Sequence, residues 1–204
     1  MAEDTPRLIL ASGSQTRAAM LRAAGLKFDV VPASVDEAAL LSDALATIPH
    51  MTPAAAAQLL ARAKAVDVSL HHPDAVVIGG DQVLAIGREM MPKARNRAEA
   101  EAALLKLKGK AHDLHSAAAL AIAGNVDWVN VDSARLTMRN FSAAFLENYL
   151  NQAGPALTSS VGAYQIEGLG LTLFDHVAGS HSTILGLPLL PLLAELRARR
   201  LLMS

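Results

Sequence analysis

The stretch Ser12-Gly13-Ser14-Gln15-Thr16-Arg17 brings hydroxyls, a glycine and a guanidinium together directly after the apolar run Leu8-Ile9-Leu10-Ala11. A strand that feeds a small-residue loop opening a helix turns backbone N–H groups outward, which makes an anion site. Arginine suits a phosphate there because it can bond two oxygens at once. The same residues also read as an N-cap serine beside a solvated arginine. A second constellation, Gly80-Asp81-Gln82, follows the β-branched run Ala75-Val76-Val77-Ile78. Ligands of α/β sheets sit at the carboxyl ends of strands, so a carboxylate placed at such an end can hold a metal or orient water. A turn-forming aspartate is the plainer alternative. Asp36 and Glu37 are adjacent carboxylates, either surface charges or partners of Asp81 in a hard-cation site. Lys64 and Lys93 are ordinary surface lysines when taken singly. Taken with Arg17, they would supply positive charge against a polyphosphate.

Other chemistries find less support. The seven histidines lack the His-Glu-x-x-His spacing of a zinc site, and His71-His72 reads as a pair of loop residues. Ser116 has no glycine-flanked elbow of the kind that exposes a hydrolase nucleophile. Without cysteine there is no thiolate ligand, thiol nucleophile or disulfide. A formal net charge of −1 argues against a surface-wide nucleic-acid footprint, and 3% aromatic residues leave few bases' worth of stacking surface. The basic tail Arg197, Arg199 and Arg200 reads as a solvated helix end. Glu3 and Asp4 replace the basic start of a secretory signal, and no run approaches the ~20 apolar residues of a membrane helix. The expectation is a protein of the cytoplasm, with no membrane or nucleic-acid partner.

The elements that must position these groups follow from periodicity. With 204 residues, 52% of them hydrophobic, the chain can bury a core, and residues 1–204 read as one domain. Strands are expected at Arg7–Ala11, Lys27–Val31 and Ala75–Gly79, the last delivering Asp81 to its end, with extended chain again at Val83–Ile86. Helices are expected from Gln15 to Ala24, from Pro53 behind the cap Thr52 to Leu70, and from Arg97 to Lys108. His112–Ile122 and Asp127–Met138 read as strands around a turn at Gly124-Asn125. Ser142 opens a helix through Tyr149, Ala163 to Val177 reads as extended with glycine interruptions, and Leu189 to Leu202 as a terminal helix. Gly87–Asn96 and Asn151–Gly162 are the loop candidates. Alternating strands and helices followed by adjacent strands point to α/β with a mixed sheet.

In this order, the motifs resemble those of the Maf family. The resemblance rests on Leu8-Ile-Leu-Ala-Ser-Gly-Ser-Gln-Thr-Arg17, Val35-Asp-Glu37, Lys64-Ala65, Ile78-Gly-Gly-Asp-Gln82, Lys93, Gly162-Ala-Tyr164, Glu167-Gly-Leu-Gly170 and Gly186-Leu-Pro188. It implies an α/β fold of the Maf/ITPase-like type: an elongated mixed β-sheet flanked by helices, with two lobes and a cleft between them, often dimeric. It also implies a nucleoside triphosphate pyrophosphatase that cuts between the α and β phosphates with a divalent cation, Mg2+ or Mn2+. By resemblance, Asp81 is the general base and Ser12, Ser14 and Arg17 form the phosphate loop, with Thr16 beside them as a further substrate-binding residue. Glu37 holds the metal with Asp81, while Lys64 and Lys93 clamp phosphates.

Asp81-Gln82 and Glu167-Gly-Leu-Gly170 resemble the branch described as acting on 7-methyl-GTP. An N7-methylated guanine is positively charged; Glu167 would offset that charge and accept its N–H donors, with Gln82 as a second polar reader. Alternatively, both side chains serve only backbone groups. Several positions depart from the family pattern. Gln15 stands where proline is usual, Thr16 where this branch tends to have an aromatic, Ala18 where a second arginine is expected, and Ala94 where proline follows the lysine. Ser159-Ser160 replaces an acidic or amide residue. These departures keep a second reading open, a catalytically impaired nucleotide-binding regulator of cell division. A phosphatase releasing orthophosphate is a third.

Overall fold

The computed structural model describes residues 6–203; Glu3 and Asp4, used above in reading the N-terminus, lie outside them. The chain is a mixed α/β structure. Its strands are β1 (Arg7–Ala11), β2 (Asp29–Val30), β3 (Ala75–Ile86), β4 (Glu89–Met91), β5 (Ala111–Ile122), β6 (Asn125–Met138) and β7 (Phe174–Ala178). They form a seven-stranded mixed sheet in the order β2-β1-β3-β5-β6-β7, with β4 also paired to β3. β1 runs parallel to both β2 and β3, and the other pairings are antiparallel.

β1 and most of β3 are buried, as their aliphatic composition requires of central strands. β3 is one strand of 12 residues and does not stop at Gly79. Asp81 therefore sits within a strand, not at its end. The expected crevice survives for another reason: β1 ends at Ala11, opposite Gly79, and β3 continues beyond it. Asp81 emerges where the shorter strand stops.

The helices are α1 (Gln15–Ala23), α2 (Glu37–Thr47), α3 (Pro53–His71), α4 (Arg97–Leu107), α5 (Ala143–Gln152), α6 (Ala156–Ser159), α7 (His181–Ile184) and α8 (Leu189–Ala198). α3 lies against β3 and β5 through small residues. Ala56, Ala57, Ala61 and Ala65 meet Ala117, Ala119 and Ala121 in one apolar cluster. The approach is so close that a Cβ built at Gly79 would run into the carbonyl oxygen of Ala61. A second cluster joins β1, α1 and α8 through Leu10, Leu21, Ile78, Leu192 and Leu196. A third fills the other end of the sheet around Leu84, Leu104, Leu136 and Tyr149.

Five local expectations need correction. α2 falls where the sequence offered only an acidic pair: Asp36 is its N-cap, accepting from the Ala39 N–H at 3.0 Å, and the helix has no buried residue to mark it. The expected strand over Lys27–Val31 shrinks to β2. The hairpin turn is Ala123-Gly124, with φ of 47° and 81°, one residue earlier than expected and of the primed type that suits twisted strands. Ala163 to Val177 is mostly not extended: 3-10 turns at Val161–Ala163 and Leu169–Leu173 precede β7, with Gly162 at φ 76°. α8 stops at Ala198; Arg200 at φ 59° turns the chain back so that Leu201 and Leu202 pack on the α1–α8 cluster. Within the two loop candidates lie β4 and α6. Among the described residues, no helix is long and apolar enough to cross a membrane.

Candidate active site

A cleft of about 1040 Å3 opens beside the end of β1. Nine of the residues singled out in the sequence line it: Ser12, Ser14, Thr16, Arg17, Glu37, Lys64, Asp81, Gln82 and Lys93. They come from α1 and its preceding loop, α2, α3, β3 and the segment after β4. Glu167 does not reach this cleft. It is exposed at a side pocket of about 60 Å3, which shares Thr16, Gln82, Ser160, Val161, Gln165 and Leu185 with the main cleft.

The loop between β1 and α1 is organised around Arg17. Ser14 caps α1, its Oγ accepting from the Arg17 N–H at 3.3 Å. The capping reading of this serine thus holds, but Arg17 beside it is partly buried and bonded, not solvated. The guanidinium Nη1 donates to Ser12 Oγ at 3.1 Å and Nε donates to the Gly186 carbonyl at 2.8 Å. Two of its five N–H donors are engaged in this way, and the others remain for a ligand. Two glycines frame the side chain: a Cβ on Gly80 would stand 3.3 Å from Arg17 Cδ, and one on Gly186 3.4 Å from Nη2. Burial lowers the pKa of Arg17, and the carboxylates of Asp81 and Glu37 counter that effect. The group remains a cation.

Across the cleft floor, Lys64 on α3 reaches Asp81 on β3. Its Nζ stands 2.6 Å from Asp81 Oδ1 and 2.7 Å from Glu37 Oε1. Asp81 is almost fully buried and Lys64 nearly so, while Glu37 is half exposed. Burial raises the Asp81 carboxyl above the ordinary aspartate range, against the pull of Lys64 and then Arg17. No described residue bonds its second oxygen, Oδ2.

Two carboxylates sharing one ammonium also offer two hard oxygen donors to a divalent cation. Among the described residues, no group of three or more His, Asp or Glu side chains is gathered to hold a metal. Further ligands for such a cation would have to come from phosphate and water, which is how Mg2+ is commonly held.

The departures from the family pattern divide by location. Gln15, Thr16, Ser159 and Ser160 face the cleft. Ala18 and Ala94 are buried in apolar clusters away from it.

A family model described as Maf-like protein matches residues 7–199. The chain belongs to the Maf family. Among Maf relatives, a protein of Brucella abortus biovar 1 (strain 9-941) named 7-methyl-GTP pyrophosphatase is 46% identical over 196 residues, covering 96% of this chain and 98% of its own. One of Bradyrhizobium diazoefficiens (strain JCM 10833 / BCRC 13528 / IAM 13628 / NBRC 14792 / USDA 110), named nucleoside triphosphate pyrophosphatase, is 48% identical over 195 residues, covering 96% and 95%. Among solved structures, a nucleoside-triphosphatase / dITP/XTP pyrophosphatase from Mycobacterium abscessus ATCC 19977 / DSM 44196 covers 96% of this chain and 95% of its own, with a TM-score of 0.42 and 16% identity.

The Maf cleft contains groups that sequence reading missed. The carbonyl that accepts from Arg17 is that of Gly186, in the Gly186-Leu-Pro188 motif, to which the sequence alone assigns no contact. Ser116, dismissed as a nucleophile, lies fully buried under Gln82. Gln165 lines both cavities from a turn within the stretch that the sequence predicts to be extended.

Proposed function

We propose that this protein hydrolyses a nucleoside triphosphate between its α and β phosphates, releasing the monophosphate and pyrophosphate, and that a modified guanine nucleotide of the 7-methyl-GTP kind is its preferred substrate. The observation that carries the reading is the meeting of Asp81 and Arg17 in one cleft, together with Glu37, Lys64 and Lys93. The names of relatives at 46–48% identity support the same reaction class.

In this reading, Asp81 Oδ2 takes a proton from the attacking water, and burial suits its carboxylate to that task by raising its basicity. The hydroxyl oxygen bonds to the α phosphorus as the bond to the bridging oxygen breaks, and pyrophosphate leaves with that oxygen. The remaining N–H donors of Arg17, the free proton of Lys64 and the exposed ammonium of Lys93 balance the charge gathering on the leaving group. Glu37 and Asp81 would hold the divalent cation, Mg2+ or Mn2+, which when bound neutralises phosphate charge and polarises a phosphoryl oxygen. Glu167 at the side pocket is the group that would offset a methylated base's positive charge. A cytoplasmic setting and a dimer belong to the same proposal.

The test is a panel of nucleoside triphosphates, 7-methyl-GTP included, assayed for pyrophosphate and orthophosphate with Mg2+, Mn2+ or neither. Metal-dependent pyrophosphate release that Asp81→Asn abolishes in a folded protein is the expected result. Orthophosphate as first product, or full activity in Asp81→Asn, overturns the reading. Tight nucleotide binding without turnover would favour the regulator.

A further inference from the structure

Three charged groups of the cleft each have an aliphatic neighbour one structural repeat away. Leu41 and Leu45 follow Glu37 by one and two turns of α2, Leu60 precedes Lys64 by one turn of α3, and Val83 stands two residues beyond Asp81 on β3. All of them line the cleft, as does Met90 of β4. Leu60 and Val83 are buried in the α3 cluster, whereas Leu41, Leu45 and Met90 stay partly exposed. Together these side chains make an apolar arm of the cleft, continuous with the triad of Lys64, Asp81 and Glu37.

β3 separates this arm from the side pocket. Asp81 and Val83 lie beside Ala117 and His115 of β5, on the face that α3 covers. Gln82 leaves the opposite face, where its Nε2 donates to the Thr183 carbonyl of α7 at 3.0 Å and its side chain lines the side pocket with Glu167. Between Gly79 and Leu84 one edge of β3 has no strand partner, because β1 has stopped and β4 has not begun. The cleft passes from one face to the other at this gap. With the base at the side pocket, the triphosphate crosses the gap, and the arm lies beyond it on the side of the leaving group.

A plain nucleoside triphosphate leaves the arm unused. Its terminal phosphate is charged and hydrated, and leucine and methionine side chains offer it no bond. At about 1040 Å3 the cleft also exceeds the roughly 300–1,000 Å3 that holds one drug-sized ligand. We infer that the arm is a subsite for an aromatic group esterified to the terminal phosphate, as in a dinucleoside triphosphate whose second base lies against Leu41, Leu45 and Met90. A flat ring suits a slot with leucines on one wall and a methionine sulfur on the other. None of the five side chains can hydrogen-bond a base edge strongly, so the subsite accepts any base.

The assignment rests on the hydrolysis proposed above and extends it. Water bonds to the same α phosphorus and the same bridging oxygen leaves, now carrying a nucleoside diphosphate in place of pyrophosphate. One dinucleoside triphosphate and one water give one monophosphate and one diphosphate.

The experiment measures equilibrium binding by calorimetry. The ligands are non-hydrolysable α,β-methylene GTP and its γ-phenyl and γ-methyl esters. The two esters carry the same charge, so the ratio of their affinities reports the ring. The phenyl ester should bind wild type about tenfold more tightly than the methyl ester. Leu41→Gln and Leu45→Gln keep a good helix former on a helix without buried residues, and each should bring that ratio toward one. Binding of the methyl ester shows that the variants are folded. Diguanosine triphosphate then tests the reaction, with GMP and GDP expected in equal amounts by chromatography.

A wild-type ratio near one overturns the inference, as does a ratio that neither substitution moves, or an enzyme that cleaves 7-methyl-GTP but not diguanosine triphosphate. Each of these leaves the hydrolase reading standing. A tenfold ratio in a protein that cleaves no nucleotide sinks the hydrolase reading alone, and a wild type that binds neither the esters nor the parent analogue sinks both.

Discussion

The ammonium of Lys64 lies 2.6 Å from Asp81 Oδ1, so the proposed base and one proposed phosphate clamp form a single ion pair before any nucleotide arrives. Glu37 completes a triad on the same nitrogen at 2.7 Å. A buried carboxylate that loses its only direct cation is costly, because little water is available to replace it.

Lys64→Met should therefore lower stability by about 3 kcal/mol, read as a reduced denaturant midpoint with unchanged slope. Mn2+ should raise the melting temperature of this variant more than that of wild type, since two unpaired carboxylates await a cation. Equal Mn2+ shifts in the two proteins would show that Glu37 and Asp81 do not form a cation site.

Arg17→Lys tests the cradle. The ammonium keeps the charge but cannot hold both Ser12 Oγ and the Gly186 carbonyl while presenting a planar fork to phosphate. Turnover efficiency, kcat/KM, should fall about ten- to hundredfold, the effect of one charge-assisted hydrogen bond. Steady-state kinetics on the preferred nucleotide check it, and an unchanged value removes Arg17 from the site.

Gly79 and Gly13 make a paired test of packing. A Cβ at Gly79 meets the Ala61 carbonyl and Ala65 of α3, whereas one at Gly13 meets nothing within 4 Å. Gly79→Ala must push α3 off the sheet and should cost about 1–3 kcal/mol or more. Gly13→Ala should leave the thermal midpoint nearly unchanged. Chemical denaturation of both variants decides.

His112 predicts an acid-sensitive fold. Its ring is fully buried, with Nε2 2.8 Å from the Tyr164 hydroxyl, and burial lowers its pKa to about 4. The unfolded chain binds that proton near pH 6.5, so below this value the unfolded state holds more protons than the native one. Stability contributed by the neutral ring is full above pH 6.5 and drains away as pH falls toward 4, by about 3 kcal/mol from this residue. His112→Gln should flatten the stability profile across that window in urea melts. An unchanged slope would remove His112 as the cause.

Much of this architecture was legible in the residues. The aliphatic run to Ala11, the cap at Thr52 and the long strands on either side of Gly124 are local signals, and they fold as expected. α2 escaped because a helix lying on the surface without a buried stripe has no period to read. The strand expectation over 163–177 failed because its glycines bend the chain: a Cβ at Gly170 would strike the Gln165 backbone, a contact no local pattern announces. Cleft residues were visible by type, since cations and carboxylates stand out in a chain with 18% charged residues. What holds them was not. Backbone carbonyls such as those of Gly186 and Thr183 look the same at every position in a sequence, and only the folded chain brings them to Arg17 and Gln82.

The bond from Arg17 to the Gly186 carbonyl joins positions 169 residues apart. During synthesis the loop between β1 and α1 leaves the ribosome well before Gly186 does, and its guanidinium has to wait for that later stretch before it is locked in place. A nascent chain stalled short of α7 would thus carry every acidic and basic side chain that lines the cleft and still lack the carbonyl that holds Arg17 in place.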